Sequence, residues 1–588
     1  MKTDFKTDLS LLSENIKKKI EEYLPDENVK LVKTKNNEYS IIKNNLRLYS
    51  IYKPTEEVNK FIKTINIEEN NIVILLGFGL GYHFQKIFNS FKFKKIFIIE
   101  YNYDVLYFAF QLFDYSTFLR KENVYFVDTT NDTSFLDFLA DNISLDELDK
   151  IKIIKIDNII KSEREKFINA LVLITKLYNF KIINFGTIVK FSREWQNNTL
   201  RNLLNLNNTN NISNFKNIFN NKPILIVCAG PSLENKIEYI KKLKSHIIIA
   251  AVDTATKVLL DNGIKPDIIA IVDSQAINYS LIKDLDLSDI YLLINLIVPP
   301  EIYQKHSPKK IIIYNSNTPV LDWFEKNFNI KIGYLKSGGS VSTILFSFAI
   351  FTGCNPIIFV GQDLSFPEMK IYSQGTKKEE LYLSALNKFI TYETFIFNNY
   401  FHNENIITEK DIYNNSILTN KVLKGYRDWL VYESKNYQER EFINASESGI
   451  LNETFKLKKI SEIYEKYKNN FVNVDDVLKD NYYPISISNF QLINLFADLS
   501  NEFSKLKENT IVILELLNES SGLTQSLSIE LNNYFSFYNS LRIKNFIDYN
   551  IQNYLLNFNI NDLELCKKLL EQIKTESENF IQILKQIT

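Results

Sequence analysis

At 588 residues the chain exceeds what one hydrophobic core usually supports, which predicts two to four domains. Hydrophobic residues make up 45% and aromatic residues 13% of it, which excludes a disordered chain, and 69 Lys and Arg against 70 Asp and Glu exclude the strongly basic surface of a non-specific nucleic-acid binder. No run reaches 18 apolar residues, the start lacks an apolar signal region, and Cys228, Cys354 and Cys566 lie far apart, so the expectation is a cytoplasmic protein with no membrane span.

Residues 9–24 have a helical period, and 28–53 read as a small β element (LVKT, NNEYSIIK, LRLYSIY) with a linking helix over 55–65. These make a small α+β region over 1–66. A Rossmann-like domain with a connector follows over 67–214. Its strand 72–76 enters the turn Gly77-Phe78-Gly79-Leu80-Gly81, a helix covers 82–91, and a second strand at 96–99 ends at Glu100. An acid about 20 positions beyond such glycines is where nucleotide folds hold a ribose. The alternative is that the glycines only pack strand on helix and Glu100 is solvated. Further strands are expected at 123–127 and 151–156. Residues 192–221 are rich in asparagine, with a short helical pattern around Trp195, Leu200 and Leu203 and then a polar connector.

The central domain, 215–455, has a series of apolar runs that end in polar residues. Run 224–228 empties into Ala229-Gly230-Pro231-Ser232, 247–252 into Asp253-Thr254, and 268–272 into Asp273-Ser274. Run 290–296 finishes near Asn295, 310–314 at Asn315, and 356–360 at Gly361-Gln362-Asp363. Ser337-Gly338-Gly339-Ser340 opens an apolar helix over 341–352. In a parallel sheet these ends share one edge, where open α/β sheets bind ligands. Glycine turns at helix N-termini bring phosphates against backbone amides, and serine hydroxyls add donors. The bland alternative treats every polar end as an incidental cap. Trp429 and Tyr432 are core residues or sugar-stacking ones, and 444–450 is a polar turn after a strand-like EFI. From 456 to 588 apolar residues recur every three or four positions, predicting a helical bundle. That bundle serves either docking of a partner or packing and homo-oligomer formation.

The segments CAGPSLE, AAVDTATKVLLDNGIKPDIIAIVDSQ, SGGSVSTILFSFAIFTGCNPIIFVGQDLSF and EFINASESGI together resemble the motility-associated factor (Maf) glycosyltransferases. GFGLGYH and REWQNNTLRNL resemble that family's N-terminal region. The central domain is similar to the 6-hydroxymethylpterin pyrophosphokinase (MptE-like) domain and looks like bacterial sialyltransferases. The resemblance implies a Rossmann-like N-terminal domain, a central doubly wound sialyltransferase-like α/β domain and an α-helical C-terminal domain. It also implies transfer of a nonulosonic acid (pseudaminic, legionaminic or sialic-like) from a CMP-activated donor to Ser or Thr of flagellin, in the service of motility. Carried over by position, Gly230, Pro231 and Ser232 sit at the nucleotide, and Ser337, Gly338, Gly339 and Ser340 at the phosphate and sugar. Asp253, Thr254, Asp273, Asn295, Gln362 and Asp363 line the pocket. One departure is Pro367-Glu368-Met369-Lys370-Ile371-Tyr372, which keeps the family's lysine, loses its histidine and offers Tyr372 as a phosphate contact.

The chemistry needs donors for a leaving phosphate and a base for the incoming hydroxyl. Among His83, His246, His306 and His402, the last is best placed by sequence order. Asp273 and Asp363 compete as the base, or the aspartates hold Mg²⁺ on the phosphate, as a pyrophosphokinase requires. A non-catalytic flagellin-binding scaffold is the remaining alternative.

Overall fold

The computed structural model describes residues 5–24, 28–207, 209–305, 309–401, 405–520, 522–556 and 558–588. Two compact units result, Met1–Thr187 and Ile188–Thr588.

In the first unit, strands Val124–Phe126, Lys95–Ile99, Ile72–Leu76 and Ile151–Lys155 lie side by side in that order, all parallel. Ile72–Leu76 is apolar throughout and buried at every position because both its faces are covered. The antiparallel strands Val29–Lys33, Tyr39–Lys43 and Leu46–Arg47 form a separate three-stranded sheet, and their buried residues join the same core. This is the expected Rossmann-like layout.

The glycine turn after Ile72–Leu76 does not have the ligand geometry its spacing suggests. Glu100 is fully buried and faces the turn. Its Oε2 accepts the N–H groups of Phe78 (2.7 Å) and Gly79 (2.8 Å), and its Oε1 accepts those of Tyr101 and Asn102 (both 2.8 Å). The Tyr49 hydroxyl accepts Leu80 N–H at 3.0 Å, and a Cβ on Gly79 would lie 2.5 Å from both Ile159 Cδ1 and that hydroxyl. The amides that would greet a nucleotide are therefore satisfied internally, and side chains fill the approach. Glu100 is neither a ribose ligand nor solvated. It is an internal anion that ties the turn to the next strand.

The second unit is built on a larger sheet. Among the described residues its strands run in the order Lys456–Leu457, Phe442–Asn444, Ile357–Val360, Ile224–Val227, Ile248–Val252, Ile268–Ile271, Tyr291–Ile294, Lys310–Ile313 and Thr209–Asn211, all parallel. The chain starts at Ile224–Val227, steps outward through four strands, then returns to the other side of its starting strand as Ile357–Val360. That reversal makes a topological switch point between those two strands. Alternate residues serve opposite faces. Ile268 and Ala270 pack with the apolar helix Val341–Phe351, whereas Ile269 and Ile271 pack with Phe496, Phe503 and Phe580 of the C-terminal helices. The helices Asn489–Glu519, Gln525–Ser540 and Leu563–Ile587 thus complete one face of this doubly wound sheet. Thr209–Asn211 adds an edge strand where the sequence suggested only a polar connector.

Two outcomes test the first unit. Glu100→Gln presents an NH₂ group to amides that need an acceptor, and should cost about 2–3 kcal/mol, read as a lowered urea midpoint. His83 stacks on Tyr49, is buried with its Nδ1 unpartnered, and burial holds its imidazole down at about 4 against an ordinary 6.5. The unfolded chain therefore binds a proton that the folded one refuses. Stability is whole above pH 6.5 and falls as pH drops toward 4, by about 3 kcal/mol for this group. His83→Leu should flatten that fall relative to the wild type in thermal melts at pH 7 and pH 5.

Candidate functional site

The parallel strands place their polar ends on one edge of the large sheet, as the sequence anticipates. At the switch point, Gly230 N–H donates to Gly361 O (2.8 Å), and Ser232 N–H donates to Asp363 Oδ2 (2.9 Å). Any Cβ on Gly230 would run into Asp363 and Gly361 O, so this position requires glycine for close approach. Asp363 is 2% exposed. Burial raises its carboxyl, and hydrogen bonding from Ser232 partly offsets this. It faces inward and secures the Ala229–Ser232 turn through Ser232 N–H. Pro231 is buried, and the Ser232 hydroxyl lies buried without a partner. Gln362 is also held: its N–H donates to Ser446 Oγ (3.0 Å) and its Nε2 to Ser342 Oγ (2.9 Å).

The Gln362–Ser342 bond brings the Ser337–Ser340 loop to this edge. Gly338 N–H donates to Thr343 Oγ1 at 3.0 Å, Ser340 caps the helix Val341–Phe351, and its Oγ lies 3.0 Å from Ser342 Oγ. Ser337 and Gly339 are exposed. Trp429 packs against Gly338, and Tyr426, one turn earlier on helix Lys421–Ser434, packs against Gly339.

Two carboxylates behave differently from Asp363. Asp253 begins helix Asp253–Asp261 and is 4% exposed, with Thr254 N–H donating to its Oδ1 at 2.7 Å. Burial, aided by the charge of Asp273, pushes its carboxyl up to about 7. Asp273 is open to solvent, and its Oδ2 accepts from Asn278 Nδ2 at 3.1 Å. Surrounding protein nevertheless raises its carboxyl, the mark of a group on the floor of a recess. Its charge is felt by Tyr426 and Tyr314, and that of Asp253 by Tyr372, so these groups share one neighbourhood. Burial is the first cause that raises each of those three phenols.

Asn295 lies behind this recess. Its Nδ2 donates to Tyr314 Oη at 3.1 Å and its Oδ1 accepts Ile297 N–H at 3.2 Å. Further support comes from the helix Arg164–Leu203. Asn198 Nδ2 donates to Ser274 O (3.2 Å) and Ile297 O (2.9 Å), and Asn202 Nδ2 to Leu296 O (2.9 Å) and Val298 O (2.8 Å). Asn198 and Asn202 of the QNNTLRN segment thus clamp the strand end that bears Asp273 and the end of the next strand. Composition alone marks that segment as polar; the i, i+4 spacing of Asn198 and Asn202 is the signal that places both on one buried face.

His402 and His306 lie outside the described residues. His246 binds Asn470 O through Nδ1 at 2.6 Å, just before strand Ile248–Val252 and so at the opposite sheet edge. A cavity of about 430 Å³ lined by Lys222, Pro223, Asn355 and Val472 also sits at that opposite edge, away from the carboxylates. Among the described residues no group of three or more His, Cys, Asp and Glu side chains gathers as a metal site. No helix is long and apolar enough to cross a membrane among the described residues.

Comparison with known proteins bears on this geometry. Residues 5–143 match the family model of the glycosyltransferase Maf N-terminal domain, and residues 197–369 that of the 6-hydroxymethylpterin diphosphokinase MptE-like domain. An uncharacterized protein of Treponema pallidum (strain Nichols) is 35% identical over 97 residues, 16% of this chain, and the chain spans 45% of that relative's length. The structure of a Maf glycosyltransferase from Magnetospirillum magneticum AMB-1 superposes with a TM-score of 0.52 at 14% identity, covering 98% of this chain and 94% of that one. This last likeness is one of fold. The chain thus carries a region similar to the glycosyltransferase Maf N-terminal domain followed by one similar to the MptE-like domain.

Proposed function

We propose that the strand-end recess is a glycosyltransferase site that moves a nonulosonic acid from its CMP-activated donor to Ser or Thr hydroxyls of flagellin in the cytoplasm. The observation that carries the reading is one open carboxylate, Asp273, beside the exposed glycine-serine loop Ser337–Ser340 and the phenol of Tyr426. The sugar class and the flagellin acceptor rest on the resemblance to Maf.

In this reading each residue has a role that its position supports. Asp273 accepts the proton of the acceptor hydroxyl as the hydroxyl oxygen bonds to the anomeric carbon. The bond from that carbon to the phosphate oxygen breaks, and CMP leaves with the electron pair. Ser337, Ser340 and the positive end of helix Val341–Phe351 face the growing phosphate charge, with Tyr372 as a further donor. Asp253, pushed up to about 7 by burial and by the charge of Asp273, shares the neutral range between its two protonation states, so that its neighbour Asp273 carries more of the charge of the pair. Gly230, Pro231, Ser232, Thr254, Asn295 and Gln362 shape the walls. Asp273 takes the role of base in this scheme, and Asp363 stays in the scaffold.

The coupling between Asp253 and Asp273 favours a second reading, a Mg²⁺-dependent nucleotide transferase of the pyrophosphokinase kind. Thermal-shift measurements with CMP, CTP, ATP and GTP, each with and without Mg²⁺, separate the two. Stabilisation selective for CMP is the expected result, and stabilisation that needs ATP and metal transfers the site to the second reading.

Activity is checked by co-expression with flagellin and a nonulosonate pathway, reading the intact mass of flagellin. Asp273→Asn should slow the mass gain by about 10²–10⁴-fold, the usual worth of a general base, while leaving the melting temperature close to that of the wild type. Asp363→Asn should do the reverse in order of severity, losing about 2–3 kcal/mol of stability because Ser232 N–H loses its charged acceptor. Full modification by Asp273→Asn removes that residue from the mechanism.

A further inference from the structure

The segment that leaves strand Ile357–Val360 does not return to the sheet until Phe442–Asn444, and on the way it crosses the strand-end edge. Ser373 N–H donates to Ala229 O (2.9 Å) and Gln374 N–H to Glu234 Oε1 (3.0 Å). Helix Lys377–Ser384 then leans on helix Asp253–Asp261, where Lys257 Nζ lies 3.1 Å from Glu380. The lysines of this neighbourhood are almost all paired. Lys257 pairs with Asp261 and Glu380, Lys377 with Glu380 (3.1 Å) and Asp284 (3.6 Å), and Lys370 with Glu368 (3.4 Å).

Lys378 is different. It is half-buried, and among the described residues it makes no hydrogen bond and no ion pair, yet its charge bears on both Asp253 and Asp273. It stands in the first turn of helix Lys377–Ser384, two residues before Glu380, whose ion pair with Lys257 holds that helix against helix Asp253–Asp261, the helix that begins at Asp253. We propose that Lys378 is the cation that receives the phosphate of the nucleotide donor, a specificity residue delivered by the crossing segment. This inference rests on the donor-site reading above. The argument is one of charge balance: a recess floored by carboxylates repels an anion, and a donor phosphate enters it only if a cation shares the space. Departure of the sugar raises the phosphate from one negative charge to two, so an ammonium beside it attracts the product-like transition state more than the ground state. Lys370 is the lysine that sequence comparison singles out, but its side chain is already engaged by Glu368.

The test compares CMP with cytidine, which differ only in the phosphate, by titration calorimetry of the full chain. Lys378→Met should weaken CMP binding by about 10- to 100-fold, the worth of a charge-assisted hydrogen bond, and leave cytidine binding unchanged. Lys378→Arg should restore most of the CMP affinity, and raising the salt should weaken CMP binding less in the Met variant than in the wild type. A Met variant that binds CMP like the wild type overturns the assignment while leaving the donor-site reading intact. One that loses cytidine as much as CMP shows a structural lysine and likewise overturns it. A wild-type protein that binds neither ligand overturns the donor-site reading and Lys378 with it.

Discussion

A buried carboxylate at the end of one parallel strand, gripping the glycine turn of its neighbour, is the constraint on which both units are built. In the first unit Glu100, after Lys95–Ile99, accepts the amides of Phe78 and Gly79 after Ile72–Leu76. In the second, Asp363, after Ile357–Val360, accepts the amide of Ser232 after Ile224–Val227. A turn that leaves a strand for a helix exposes several N–H groups at once, and leaving them unpaired in a core is costly. A carboxylate satisfies them with short bonds that offset part of its own desolvation, four backbone amides at Glu100 and one at Asp363. The device also explains the glycines, since a Cβ on Gly230 has no room beside Asp363.

The same device decides which acids are left for chemistry. A carboxylate that holds its own turn is not available to a substrate, and Asp363 and Glu100 are both committed in this way. Asp253 and Asp273 stand at the ends of strands farther from the switch point, where no neighbouring turn claims them as completely. Asp253 retains one local amide bond, from Thr254, and Asp273 a single side-chain bond, from Asn278. Burial and the charge of Asp273 raise the carboxyl of Asp253, burial raises that of Asp273, and the charge of Lys378 bears on both. The recess is therefore polarised, with acids on the sheet side and a cation on the crossing segment, an arrangement suited to a ligand that carries both an anion and a departing proton.

Much of the sheet was legible because its strands are short apolar runs bounded by Gly, Asp and Asn. Runs such as 72–76 and 357–360 have no polar face to confuse the period. Thr209–Asn211 was not legible, because its polar residues are buried by a segment far along the chain: Asn210 Nδ2 donates to Asn481 O at 2.9 Å and Ile485 N–H donates to Thr209 O at 2.7 Å. The candidate site was legible as a list of strand ends but not as a division of labour. Asp273 and Asp363 look alike in sequence, each an Asp at the end of an apolar run. Only the tertiary neighbour separates them: an amide of Ser232 against one, solvent and Tyr426 against the other. Tyr426 and Asn198 were not legible as neighbours of this edge because each lies far along the chain from what it touches, Tyr426 from Gly339 and Asn198 from Ser274 O and Ile297 O. The N-terminal glycine motif fails for a related reason, since spacing alone does not reveal that Tyr49 and Ile159 fill the approach.

The clamps from helix Arg164–Leu203 carry this argument one step further. Asp273 owes its openness to a lack of local partners, so something other than its own hydrogen bonds must fix the strand end that bears it. Asn198 does so by bridging Ser274 O and Ile297 O, which locks the ends of two adjacent strands to each other. Asn202, one turn on, holds Leu296 O and Val298 O on the same loop. Amide side chains suit this task better than charged ones: each offers two N–H donors to buried carbonyls and adds no charge to a recess whose acids already repel. A carboxylate left open to solvent, with Asn278 as its side-chain donor, thus stands on a strand end held by neutral clamps one layer behind it. That explains why a segment so rich in asparagine lies buried against the sheet edge instead of looping through solvent.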